Sequence, residues 1–289
     1  MIYQTPEAYL QAPHKAVALF GMSGLGKTTM ANLLRGGGEW FHYSVDYRIG
    51  TRYMGEHIAD NFKTEAMKVP LLRELLMSDS VYIASNITFD NLAPLSTYLG
   101  KPGDSAKGGI PFEEYVRRQR QHRLAEIAAM LDTIEFIERA QRLYGYPHFL
   151  CDTSGSLCEV VDGSDPDDPV LKALSQHILF VQIRGTEADA EELARRFDLA
   201  PKPMYYPEDY LRESWSEYLE TMNVSDREVD PDAFIRWGFR RLAHARLPRY
   251  NSIAENWGIT VEARDIAEVR DAQDFDRLIT TALLNRATV

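Results

Sequence analysis

Apolar positions follow two rhythms along this chain. Residues 16–20, Ala-Val-Ala-Leu-Phe, form a short continuous run that stops at Gly21, the pattern of a strand buried in a parallel sheet. Residues 28–35 then take helical spacing, with Met30, Leu33 and Leu34 on one face and Gly36, Gly37 and Gly38 as a stop. Residues 41–45, Phe-His-Tyr-Ser-Val, read as a second short strand, closed by Asp46. This strand–loop–helix–strand opening predicts an α/β fold with a doubly wound parallel sheet. Later strands are expected at 149–151, ending at Asp152, at 178–183 and at 259–261, with helices over 187–197 and 267–284.

Between these strands the pattern is mostly helical. A helix is expected over 70–77, and 81–84 fits a strand or a helix end. Residues 100–111, with four glycines and two prolines, read as a mobile loop. One long helix is expected over 112–144, with Leu124, Ile127, Leu131, Ile134 and Ile137 as its buried stripe. Further helical stretches cover 204–222 and 231–247. No internal repeat and no linker divides the chain, so residues 1–289 are expected to form one domain. A helical insertion spans 51–146 and a lid-like helical insertion spans 201–247.

Composition narrows the setting. A formal charge of −11, from 32 basic and 43 acidic residues, argues against nucleic acid or an anionic membrane as main partner. Residues 1–13 carry no basic segment and no long apolar core, and the two cysteines, Cys151 and Cys158, lack metal or redox spacing. A cytoplasmic location is expected.

The chemistry concentrates between the first strand and the first helix. Gly21, Met22, Ser23, Gly24, Leu25, Gly26, Lys27 and Thr28 fit the pattern G-x-x-x-x-G-K-[ST] without a mismatch, and Thr29 follows. Glycines let backbone N–H groups close around phosphate oxygens. Lys27 brings a point charge to the β- and γ-phosphates, and Thr28 a hydroxyl for Mg²⁺. The expected sheet is therefore of the P-loop NTPase type, with ATP and Mg²⁺ as ligands; no guanine-reading N-K-x-D tetrapeptide is present.

Around that motif the chain resembles P-loop small-molecule kinases of the shikimate and gluconate kinase-like group. There the second strand ends in an acidic residue that meets the acceptor hydroxyl, and Asp46 has that place here, with Arg48 and Arg52 after it. The resemblance implies transfer of the ATP γ-phosphoryl group to a polar or anionic metabolite, with Arg195 or Arg196 meeting that group from a lid. Arg249, in Arg246-Leu247-Pro248-Arg249-Tyr250, matches a basic segment before the last strand. The insertion at 51–146 is larger than in those kinases. Their glycine-rich substrate turn is replaced by Asp152-Thr153-Ser154-Gly155-Ser156. A second similarity, to tRNA dimethylallyltransferases, rests on Asp46 preceding Ile49-Gly50-Thr51.

The candidate roles follow. Asp46 is a candidate general base and Lys27 and Arg196 candidate phosphoryl stabilisers. Arg48, Arg52, Thr153, Ser154 and Arg249 are candidate acceptor ligands. Asp46 and Asp152 compete for the magnesium shell beside Thr28. The alternatives to a kinase are an ATPase switch acting on a protein partner, and a group transferase acting on a nucleotide or tRNA.

Overall fold

The computed structural model describes residues 1–287; residues 288 and 289, the end of the expected single domain, lie outside them. Contacts divide the chain into two compact units. A sheet unit comprises residues 1–45, 126–200 and 238–289, and a helical unit comprises 46–125 and 201–237.

The sheet unit holds five parallel strands: β1 (Ala16–Phe20), β2 (Trp40–Ser44), β3 (His148–Asp152), β4 (Leu179–Arg184) and β5 (Gly258–Glu262). Their order is β2-β3-β1-β4-β5. All five residues of β1 are buried, as its uninterrupted apolar run requires. The connection leaving β1 runs to one side in this order and the connection leaving β3 to the other. Between such neighbours a crevice opens outside the carboxyl ends of the strands. The arrangement is compatible with a doubly wound α/β fold.

In chain order the helices are α1 (Pro6–Gln11), α2 (Lys27–Gly36), α3 (Val45–Arg48), α4 (Gly55–Ala66), α5 (Pro70–Met77), α6 (Ala93–Leu99), α7 (Phe112–Tyr144), α8 (Leu157–Val160), α9 (Pro169–Leu174), α10 (Glu187–Leu199), α11 (Glu208–Met222), α12 (Pro231–Trp257), α13 (Ala263–Glu268) and α14 (Ala272–Ala287). A π-helical turn at Ile49–Tyr53 and a 3₁₀ turn at Ser105–Lys107 complete the set.

Several expectations need correction. The buried stripe of α7 is not its large aliphatic row: Leu124 and Leu131 are exposed, whereas Gln119, His122, Glu126, Ala129 and Thr133 are buried. Small side chains allow close approach, and Tyr43 donates its hydroxyl to the Ala129 carbonyl at 2.6 Å within the sheet unit. The helix over 231–247 continues through Pro248 to Trp257, because Tyr250 and Ile253 extend its buried face. The helix expected over 204–222 begins only at Glu208. Within the helical unit, Met204 accepts hydrogen bonds from Tyr115 and Gln119, and Tyr206 N–H donates to Gln119, which hold this proline-flanked segment extended. The last helix is two, α13 and α14, and residues 81–84 are neither strand nor helix. Residues 100–111 are tied down inside the helical unit: Asp104 N–H donates to Val229, and Lys101 and Lys107 pair with Asp232 and Asp230.

Candidate functional site

The glycine-rich loop leaves β1 at Gly21, whose φ of +138° favours glycine; a Cβ there would stand 2.5 Å from the Ile183 carbonyl oxygen of β4. Gly26, at φ +97°, is the residue before α2 and has no side chain to cap it. The first N–H groups of α2 therefore belong to the loop's own concavity, a ready anion site. Lys27 opens the helix, and its buried ammonium donates to the carbonyls of Gly21 at 2.8 Å and Met22 at 3.0 Å.

Of the two aspartates, Asp152 is the one that Thr28 touches. The Thr28 hydroxyl donates to Asp152 Oδ2 at 2.7 Å. Sheet register explains the meeting, since Asp152 is the partner of Leu19 across the β1–β3 pair, one residue short of the end of β1. His42 Nε2, from β2, lies 3.8 Å from the same carboxylate oxygen. A hydroxyl and a carboxylate side by side suit a hard cation such as Mg²⁺, which takes few protein ligands and completes its shell with phosphate oxygens and water. Among the described residues, no three His, Cys, Asp or Glu side chains gather into a metal cluster.

The turn after Asp152 runs along the loop. A Cβ on Gly155 would stand 2.3 Å from Ser23 Oγ, so the turn and the loop are in close approach there and a larger residue would have to turn the Ser23 hydroxyl aside. Thr153 is buried and donates to the Ser154 carbonyl at 3.3 Å. Ser154 donates its hydroxyl to Glu126 Oε1, and Ser156 to Glu126 Oε2 at 2.7 Å. Tyr250 of α12 donates to the Gly155 carbonyl. Glu126, fully buried, thus fixes both serines of the turn. In the sequence its local signal is a place in the row Gln119, His122, Glu126, Ala129, Thr133, spaced by three and four.

Behind the turn, Arg246 Nε donates to Glu159 Oε1 at 3.0 Å, both side chains buried. Arg249, a candidate acceptor ligand, has a nitrogen 3.9 Å from the same oxygen and is largely exposed. Burial pushes the Cys158 thiol up to about 12 and that of Cys151 up as well, so neither is a thiolate.

A cleft of about 860 Å³ adjoins the loop within the sheet unit. Its apolar side is made by Leu25, Met30, Leu33, Ile266 and Val269, and its polar side by Thr29, Arg184, Asp189 and Arg264. Arg184 pairs with Glu262 across the ends of β4 and β5. Arg195 and Arg196 are exposed on α10 and both donate to Glu192, whose carboxyl they hold down at about 2.

The remaining candidates belong to the helical unit. Asp46, half-buried, is the second residue past the carboxyl end of β2. The Arg48 guanidinium lies 5.8 Å from the Tyr53 ring centre, and Arg52 is exposed. No family model, no curated protein and no solved structure matches the chain. Among the described residues no helix is long and apolar enough to cross a membrane.

Proposed function

We propose that this chain binds a magnesium nucleoside triphosphate at Gly21–Thr29 and acts as a small-molecule kinase of P-loop type. The observation that carries the reading is the 2.7 Å hydrogen bond from Thr28 to Asp152, at the carboxyl ends of two neighbouring parallel strands and directly after a loop that matches the phosphate-binding pattern. The triphosphate lies along the loop's N–H groups and the start of α2. Lys27 leaves the Gly21 and Met22 carbonyls for the β- and γ-phosphate oxygens. Magnesium, when bound, is held beside Thr28 and Asp152 and offsets negative charge on the phosphates. The 860 Å³ cleft takes the base and ribose, with Leu25, Leu33 and Ile266 as apolar walls and Thr29 at its phosphate end.

Phosphoryl transfer needs an acceptor side as well. Asp46 is the carboxylate proposed to orient the acceptor hydroxyl, with Arg48 and Arg52 as ligands for a polar or anionic metabolite. Arg196 is proposed to release Glu192 and meet the transferring group.

The test is ATP consumption by the purified chain with magnesium, across a panel of metabolite alcohols and without acceptor. Consumption that depends on one acceptor supports the kinase. Equal consumption without acceptor removes the transfer step and leaves a hydrolase, whereas failure to bind any nucleotide removes the whole reading.

A further inference from the structure

Within the sheet unit, the turn between β3 and α8 carries backbone N–H groups that have no acceptor. Thr153 N–H donates to the Leu19 carbonyl at 3.1 Å, and Glu159 N–H to the Ser156 carbonyl at 2.8 Å. The N–H groups of Ser154, Gly155 and Ser156 donate to nothing among the described residues. Ser154 is 2% exposed and Ser156 7%, so water reaches this stretch poorly. Buried N–H groups are nearly always paired, and three in a row call for an acceptor from outside the chain. Successive N–H groups in a turn suit an anion. The turn has little else to offer, because both serine hydroxyls donate to Glu126 and the Gly155 carbonyl accepts from Tyr250.

The place of the turn says which anion. A Cβ on Gly155 would stand 3.6 Å from the Ser23 backbone nitrogen, so the turn meets the glycine-rich loop at Ser23. Ser23 directly follows Gly21 and Met22, whose carbonyls hold the Lys27 ammonium. In the proposed site this is the end of the loop where Lys27 meets the β- and γ-phosphates. The 860 Å³ cleft proposed for the base adjoins other residues of the loop, Gly24, Leu25 and Gly26, and Thr29 beyond them. In a chain of net charge −11, a terminal phosphate must find its donors locally.

We propose that the N–H groups at 154–156 bind the terminal phosphate of a nucleoside triphosphate, and that Glu126 and Tyr250 are positioning residues for them. The inference rests on the nucleotide site proposed at Gly21–Thr29 and adds a means of telling triphosphate from diphosphate, since only the longer chain reaches the turn. Calorimetry in magnesium compares ADP with the non-hydrolysable imido analogue of ATP. Tyr250→Phe removes one support of the turn and should weaken the analogue about two- to tenfold, with ADP unchanged. Glu126→Ala releases both serines and should weaken the analogue further. Glu126→Gln keeps an acceptor and adds a donor for the two hydroxyls, so it should recover most of that loss. A merely structural role would lower both affinities alike. In the chain labelled with ¹⁵N-glycine, the Gly155 amide signal is identified by its absence from Gly155→Ala. It should shift and exchange slowly with the analogue, and do so far less with ADP. Tyr250→Phe and Glu126→Ala chains that bind both nucleotides as the parent does, or lose both equally, overturn the proposal. So does a Gly155 amide that exchanges equally fast with the two nucleotides. A parent chain that binds neither nucleotide removes the nucleotide site itself, and this inference with it.

Discussion

Thr28 and Asp152 stand 124 residues apart in sequence and share a 2.7 Å hydrogen bond because β1 and β3 are sheet neighbours. Asp152→Asn keeps the shape and a hydrogen-bond acceptor but removes the charge. In the proposed site its nucleotide affinity should fall about tenfold or more with magnesium and stay unchanged with a chelator, as calorimetry can show. Equal affinities for variant and parent in magnesium would dismiss Asp152 as its partner. Lys27→Ala should lose nucleotide binding in both conditions, since the ammonium acts on phosphate and not through the metal. Its far-ultraviolet spectrum should be preserved, because the loop's geometry is set by glycines and by Gly155 against Ser23. Asp46→Asn separates binding from transfer. Affinity should stay within a few-fold while acceptor turnover drops by about 10²–10⁴. Unchanged turnover would acquit Asp46.

At the scale of elements, what could be read in the sequence was whatever has a local cause. Short apolar or alternating runs located the five strands of the described residues, and α5 and α7 have the expected bounds because proline and glycine punctuate their ends. The loop was legible because the phosphate-binding pattern it matches is a run of consecutive residues. Glu126 and the Glu159–Arg246 pair were not, since each joins segments distant in sequence, 87 residues apart for the ion pair. The large residues of α7 misled for a related reason: burial went to the face that could approach closely and satisfy Ser154 and Ser156. The buried pair also has a measurable consequence, because it fixes α8 to α12 behind the turn. Glu159→Gln leaves the Arg246 guanidinium buried without its countercharge and should cost about 3–5 kcal/mol in urea unfolding. Glu159→Leu combined with Arg246→Met removes both charges and should recover most of that loss. A Glu159→Gln midpoint equal to that of the parent would mean that the ion pair contributes nothing to the stability of this layer.

For the molecule as a whole, arginine–glutamate networks on the helical unit set an acid limit on stability. Glu208 accepts from Arg120 and Arg212, and Arg212 also pairs with Glu113; Glu114 accepts from Arg117 and Arg118. The Arg120 and Arg212 guanidinium groups hold the Glu208 carboxyl down from its ordinary 4.5 to about 2, and those of Arg117 and Arg118 do the same for Glu114. A carboxyl that is more acidic folded than unfolded stabilises the fold above the unfolded value. That contribution is present above about pH 4.5 and is lost as pH falls toward 2. Arg212→Gln should therefore lower Tm at pH 7 by a few degrees at most, since exposed pairs are worth little. The gap between variant and parent should close as pH is taken from 5 to about 2. Acid also loads the entire chain with positive charge, but comparing variant with parent at each pH largely cancels that common effect. Added salt at pH 7 should narrow the gap in the same way. A Tm gap independent of both pH and salt would show that Arg212 acts through the packing of its stem against Phe112, whose ring centre lies 5.8 Å from the guanidinium, and not through its charge.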